Sequence, residues 1–182
     1  MRKVTIIFGL IAGITVSVFS FVTMTMCRNG IIGLDKSDFI GYGAMIIALS
    51  MIFFGIKSYR DNQLNGVIGF GKGVQVGLLI TLVASLIYAF AGDIFYRIDP
   101  EGNAALMDKY SDYHINKIKA EGAQPAKIEQ KVKEMSDLKE MAKNPVIRFG
   151  ISLAIILPVG IVITLFSAAI LRRREILPAE RL

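Results

Sequence analysis

The amino-acid sequence predicts an all-α integral membrane protein: four transmembrane helices, with an extracytoplasmic αα-hairpin between the third and the fourth. Three observations carry this. Hydrophobic residues make up 53% of the 182 residues. They fall in four long blocks, the distribution expected where lipid is the solvent. One stretch, 93–145, has nine Lys/Arg against ten Asp/Glu and is spaced like a pair of amphipathic helices.

The first block, 4–26, has twenty-three residues and no charge. Met1-Arg2-Lys3 resembles the basic start of a signal peptide, but the apolar run is too long and no A-x-A site follows, so an uncleaved span is expected. Met24-Thr25-Met26-Cys27 resembles a lipoprotein site only loosely, because Met26 is bulkier than the small residue required there. Cys27 is the only cysteine, which excludes an internal disulfide or a cysteine metal cluster. The second block, 39–56, has eighteen uncharged residues, just enough for a core of about 30 Å at about 1.5 Å per residue.

The polar joint 53–77 follows. Asn65-Gly66 reads as its turn. Lys57, Arg60 and Lys72 read as anchors that could meet an anion or a lipid headgroup, with Tyr59 and Phe70 at headgroup level. Span three, 73–92, carries a ridge of small residues that begins at Gly69, Gly73 and Gly77 and continues through Thr81, Ser85 and Ala89. Gly9, Gly13 and Ser17 repeat the spacing in span one. Such stripes let backbones approach closely where lipid removes the usual hydrophobic drive. The ridge is either packing within the bundle, a dimer seam or a pathway wall.

In 93–145, Asp99-Pro100-Glu101 reads as a helix cap, a first-turn proline and a dipole-matched acid. Leu106, Tyr110, Tyr113, Lys117 and Ile118 follow as a modest stripe; Gly122 ends this helix and Pro125 starts the next. There Ile128, Val132, Met135, Leu138 and Met141/Ala142 keep three-to-four spacing. Contact with the 27–38 loop or a second protomer would support so small a hairpin. Asn144-Pro145 opens the fourth span, 146–171, whose Arg148 can snorkel to the interface and whose Pro158 and Gly160 predict a kink.

Short-loop charge orients the chain. With the N-terminus in the cytoplasm, the inside holds Arg2, Lys3, Lys57, Arg60, Lys72, Arg172, Arg173, Arg174 and Arg181, against Arg28 and Lys36 outside. Nine against two places both termini in the cytoplasm and 93–145 in the periplasm. The net charge of +6 is thus a topology signal, and no nucleic acid is implied.

No catalytic constellation stands out. Gly66-x-x-x-x-Gly71-Lys72 lacks the final Ser or Thr of a phosphate loop, has Gly73 in its place, and precedes a membrane helix. The lone His114 reads as solvated or interfacial. Asp93, at the rim of span three, is spaced to meet Arg97. No Ser/His/Asp set, cofactor or metal is expected.

The order of Gly55-Ile56-Lys57-Ser58-Tyr59-Arg60-Asp61, Gly66-x-Ile68-Gly69-Phe70-Gly71-Lys72-Gly73 and Gly77 is one part of a wider pattern. It continues with Tyr96…Asp99-Pro100, Asn144-Pro145 and Pro158-x-Gly160, then Ser167-Ala168-x-Ile170-Leu171-Arg172-Arg173. Taken together, the chain resembles the bacterial membrane family known as domain of unknown function 4199, essentially end to end. It departs from that family at Gly69 and Gly73, where Ser and Ala are usual, which removes a side-chain cap from the third span. The resemblance implies a four-span inner-membrane protein of bacteria with two membranes, and no activity.

Two functional classes follow. One is a non-enzymatic membrane protein acting by association, through the outer hairpin or the glycine ridge, with a second copy or a membrane-protein partner. The other is a small-solute or ion transporter or channel subunit working as an oligomer. Against the second stand the absence of charge at any span centre and the expectation that no span is broken mid-membrane. A membrane-embedded enzyme comes third.

Overall fold

The structure is a computed structural model and describes residues 1–172, with the side chain of Asp38 left undescribed. It is all-helical: α1 Arg2–Arg28, α2 Leu34–Leu49, α3 Met51–Gln63, α4 Phe70–Ile98, α5 Pro100–Ala120, α6 Pro125–Lys143 and α7 Pro145–Leu171. Four segments are long and apolar enough to cross a membrane, namely α1, the α2–α3 stretch Leu34–Gln63, α4 and α7. Of the basic residues assigned to the inside, Arg173, Arg174 and Arg181 lie outside the described residues.

Local chemistry sets the ends. Asp99 caps α5 by accepting the Gly102 amide at 2.8 Å, ahead of Pro100. At the hairpin turn Gly122 has φ +75°, and the amides of Gly122 and Ala123 return to the carbonyls of Lys119 and Ile118. That pair of bonds closes a helix terminus whose last carbonyls would otherwise be orphaned. Asn144 caps α7 through Val146 N–H. Gly69 occupies the N-cap of α4 and offers no side chain.

The centre of the bundle is α4. Span one lies on one of its faces: an added Cβ on Gly9 would stand 2.6 Å from Val83, and one on Gly13 would stand 2.9 Å from the Ala84 carbonyl oxygen. Helix α7 lies on another face, where Gly77 faces Thr164 and Gly160 faces Thr81. The Thr81 hydroxyl donates to Gly77 O at 3.0 Å and stands 3.3 Å from the Thr164 hydroxyl. Leu49, Ile52, Ile56, Val76, Ile80 and Ile156 are fully buried around this contact. All but Ile156, which is mid-helix, lie toward the α3–α4 joint.

The uncharged stretch 39–56 lies within a longer helical run, Leu34–Gln63, which divides at Ser50 into α2 and α3. Ser50 keeps helical dihedrals, φ −58° and ψ −20°, while its hydroxyl donates to Ile47 O at 2.6 Å. Such back-bonding competes with the helical ladder. On the N-terminal side of Ser50, none of the described side chains of 34–43 is buried. Helix α2 packs chiefly on α1 and makes little contact with α4. Tyr59, at the polar end of this stretch, is buried in the core.

Candidate functional site

Because α2 does not close on α4, a cavity of about 700 Å³ opens at the hairpin end of the bundle. Its walls come from the second half of α1, the start of α2, the end of α4 and the start of α7, and α5 roofs it. Phe21, Met24, Leu34, Phe95, Leu106 and Met107 make it largely apolar. Phe21 and Phe95 meet edge to face with centroids 4.8 Å apart, holding α1 against α4 below the roof.

Polar groups gather at the hairpin end. Arg148, on the first turn of α7, lines the cavity and is mostly buried. It pairs with Asp93, donates to Ala142 O at 2.9 Å, and lies 4.0 Å over the Tyr96 ring. The other Asp93 oxygen accepts from Arg97 at 2.7 Å. Asn103, on the first turn of α5, donates to Asp99 O at 2.6 Å and Phe95 O at 3.2 Å. Those two carbonyls settle its amide orientation, because only the NH₂ can serve both. Arg148 Nε and Asn103 Oδ1 are buried with no hydrogen-bond partner among the described residues.

A second clasp ties α1 to the hairpin. Arg28 Nη2 donates to Asp99 Oδ2 at 2.5 Å. The Gly102 amide first, and the Arg28 guanidinium second, hold the Asp99 carboxyl below its ordinary value.

The residues singled out in the sequence are distributed differently. Lys57 lines an open groove with Phe8, Phe54 and Asp61. Arg60 pairs with Asp61 at 2.7 Å and reaches the Leu171 carbonyl at 3.4 Å, while Lys72 donates to Gln75 at 3.0 Å. Lys57 and Arg60 thus share the neighbourhood of Asp61, while Lys72 turns to Gln75. Gly73 and Gly77 face Ala168 and Thr164 of α7, so their ridge is occupied within the bundle. Gly69 precedes α4, exposed, with nothing near it. The Gly66–Lys72 stretch follows a helix and enters another, and Asn65 and Gly66 make the turn with φ +49° and +84°.

His114 is half-buried, which suits the interfacial reading: its ring meets Tyr110 and Tyr113, and its Nε2 is buried without a partner among the described residues. Arg148 reaches the part-buried Asp93 carboxylate and the Ala142 carbonyl beyond the start of its own helix, since a charge-assisted bond to a carboxylate competes with water for the guanidinium. Asn103 escaped notice in the sequence. Nothing marks a first-turn asparagine, although a lone acid ending one span and a lone base starting the next were a usable hint for Arg148–Asp93. Among the described residues, no three His, Cys, Asp or Glu side chains gather as a metal set.

Over residues 7–173 the chain matches the family described as Protein of unknown function (DUF4199). It belongs to that family, as the order of its motifs implied. No curated protein and no solved structure matches it.

Proposed function

We propose that this is a non-catalytic, multi-pass protein of the bacterial cytoplasmic membrane that works by association, holding a membrane molecule at the foot of its outer hairpin. Both termini face the cytoplasm and 93–145 stands in the periplasm. One observation carries the reading: four spans pack tightly at one end and leave about 700 Å³ at the other, beneath α5. An apolar cleft of that size with a few placed polar groups is the usual form of a small-molecule site. The orientation rests on short-loop charge.

Extraction in polymer-bounded lipid discs followed by native mass spectrometry tests the reading. A retained small molecule is expected, lost in Gly41→Phe, because Gly41 lines the cavity with nothing within 4 Å of an added Cβ. A bare protein mass from both would defeat it. In a Cys27→Ala background, Gln130→Cys should label from outside and Gln63→Cys only from inside; the reverse sinks the orientation.

Two secondary readings each have an observation behind them. Val132 and Met141 of the α6 stripe are each 46% exposed while Met135 is buried, which favours a second copy or a membrane-protein partner on the hairpin. The interruption at Ser50 favours a carrier or channel subunit. Mass in lipid discs and solute flux in proteoliposomes separate these from simple ligand binding.

A further inference from the structure

We infer that the occupant of the cavity is a single-chain amphiphile with an acidic head: one hydrocarbon tail carrying a carboxylate or a phosphate. The inference rests on the binding reading above and names its ligand. Size comes first. About 700 Å³ falls within the range of small-molecule sites. One acyl chain can occupy it, whereas an ordinary two-chain phospholipid could lodge only one of its tails. The walls fit a tail, since Phe21, Met24, Leu34, Phe95 and Leu106 offer no hydrogen bond that a hydrocarbon would leave broken.

Charge and hydrogen bonding choose the head. Arg148 is the one charged residue among the described lining residues, and no carboxylate lines the cavity beside it. Its partner Asp93 also serves Arg97, so two guanidinium groups share one carboxylate and positive charge is in excess. An acidic oxygen at this end balances that charge at a depth where it is weakly screened. Two polar atoms at the same end are unused. Arg148 Nε–H needs an acceptor, and Asn103 Oδ1, on a residue only 7% exposed, needs a donor. A small shift of Arg148 toward an acidic oxygen gives Nε–H the acceptor it lacks, which either acid supplies, and the P–OH of a phosphate monoester can in addition donate to Asn103 Oδ1; leaving such atoms unpaired is costly. A cationic head would face Arg148, and a purely apolar molecule would satisfy neither atom.

The test uses the full chain in lipid discs and a fluorescent polyene fatty acid as the probe. Hexadecanoate, hexadecyl phosphate, hexadecanol and hexadecyltrimethylammonium compete with it. The two acids should displace the probe at least tenfold more tightly than the alcohol or the cation, and the tighter acid identifies the head. Gly41→Phe should abolish saturable probe binding while thermal unfolding is unchanged. Arg148→Gln should bring acids and alcohol close to parity. Because that variant also loses the Asp93 pair, Arg148→Lys is its partner and should keep most of the acid preference. Equal displacement by acids and alcohol, with Gly41→Phe still blocking both, overturns the acidic head and leaves the binding reading standing. No saturable binding by the wild type, or a Gly41→Phe that binds as before, overturns both.

Discussion

The two ends of the bundle use the same residue type to opposite effect. Toward the α3–α4 joint, Gly9, Gly13, Gly73 and Gly77 each face a neighbouring helix closely, with Val83, Ala84, Ala168 and Thr164 standing where a side chain would go. Toward the hairpin, Gly41 and Gly43 of α2 have nothing within 4 Å of an added Cβ. Glycine permits close approach in both places. Only where α4 is within reach does approach occur, and Ser50 marks the boundary between the two regimes. A small-residue stripe therefore advertises a packing opportunity, and the path of the neighbouring helix decides whether packing or a cavity results.

The largest expected effect probes the packed end. Gly13→Leu would press against the Ala84 backbone, which no rotamer change can relieve. It should cost about 3 kcal/mol, seen as a large loss of thermal stability in detergent. A variant that unfolds like the wild type would mean that α1 and α4 are not held this closely.

Arg148→Gln probes the polar rim between the two ends. It removes a mostly buried charge-assisted bond but leaves Asp93 its bond to Arg97. The expected loss is about 2 kcal/mol, measured by thermal unfolding. No loss at all would mean that Asp93 does not hold the guanidinium.

Gly41→Phe is the counterpart of Gly13→Leu at the open end. Unfolding should change by no more than about 0.5 kcal/mol, because the new ring enters space that is already there. A loss as large as that of Gly13→Leu would erase the contrast between the two ends.

The smallest effect concerns the Arg28–Asp99 clasp. The Asp99 carboxyl is held below its ordinary value of 3.8, so its contribution is complete above that value. It is lost as pH falls through the lowered folded value. Asp99→Asn keeps a capping side chain without the charge. Its unfolding should lack the part of the acid slope below about pH 4 that Asp99 supplies in the wild type. Identical acid profiles would show that the hairpin and α1 are not clasped by charge. The pair is part-exposed, so the difference should be modest.

Much of the architecture was legible along the chain because its causes are local. Long apolar blocks marked the four spans. Asp99-Pro100, Gly122, Pro125 and Asn144-Pro145 marked the ends of α5, α6 and α7, and each acts through atoms within a few residues. The Asn65-Gly66 turn is local for the same reason. The candidate site was much less legible. Lys57, Arg60 and Lys72 drew attention by their density in the sequence, yet Lys57 and Arg60 on α3 lie near Asp61 while Lys72 on α4 turns to Gln75. Arg148 and Asp93 are 55 residues apart and meet because α7 lies alongside α4. Asn103 matters only because α5 returns over the bundle as a roof.

The joint 53–77 is the point where sequence and tertiary structure divide the work. By itself the sequence determined that four apolar segments and one helical hairpin must form. Length, charge-free composition and capping residues decide the burial and backbone hydrogen bonding of each segment on its own. The tertiary structure decided which face of each helix meets another: that the ridge beyond Gly69 closes on α7, that Tyr59 turns inward, and that α2 stops short of α4. Those outcomes depend on the relative placement of helices distant in sequence. In lipid, where apolar faces gain little by hiding from their solvent, that placement is set by the fit of small side chains and a few polar contacts. The cavity beneath the hairpin is what that fit leaves unfilled.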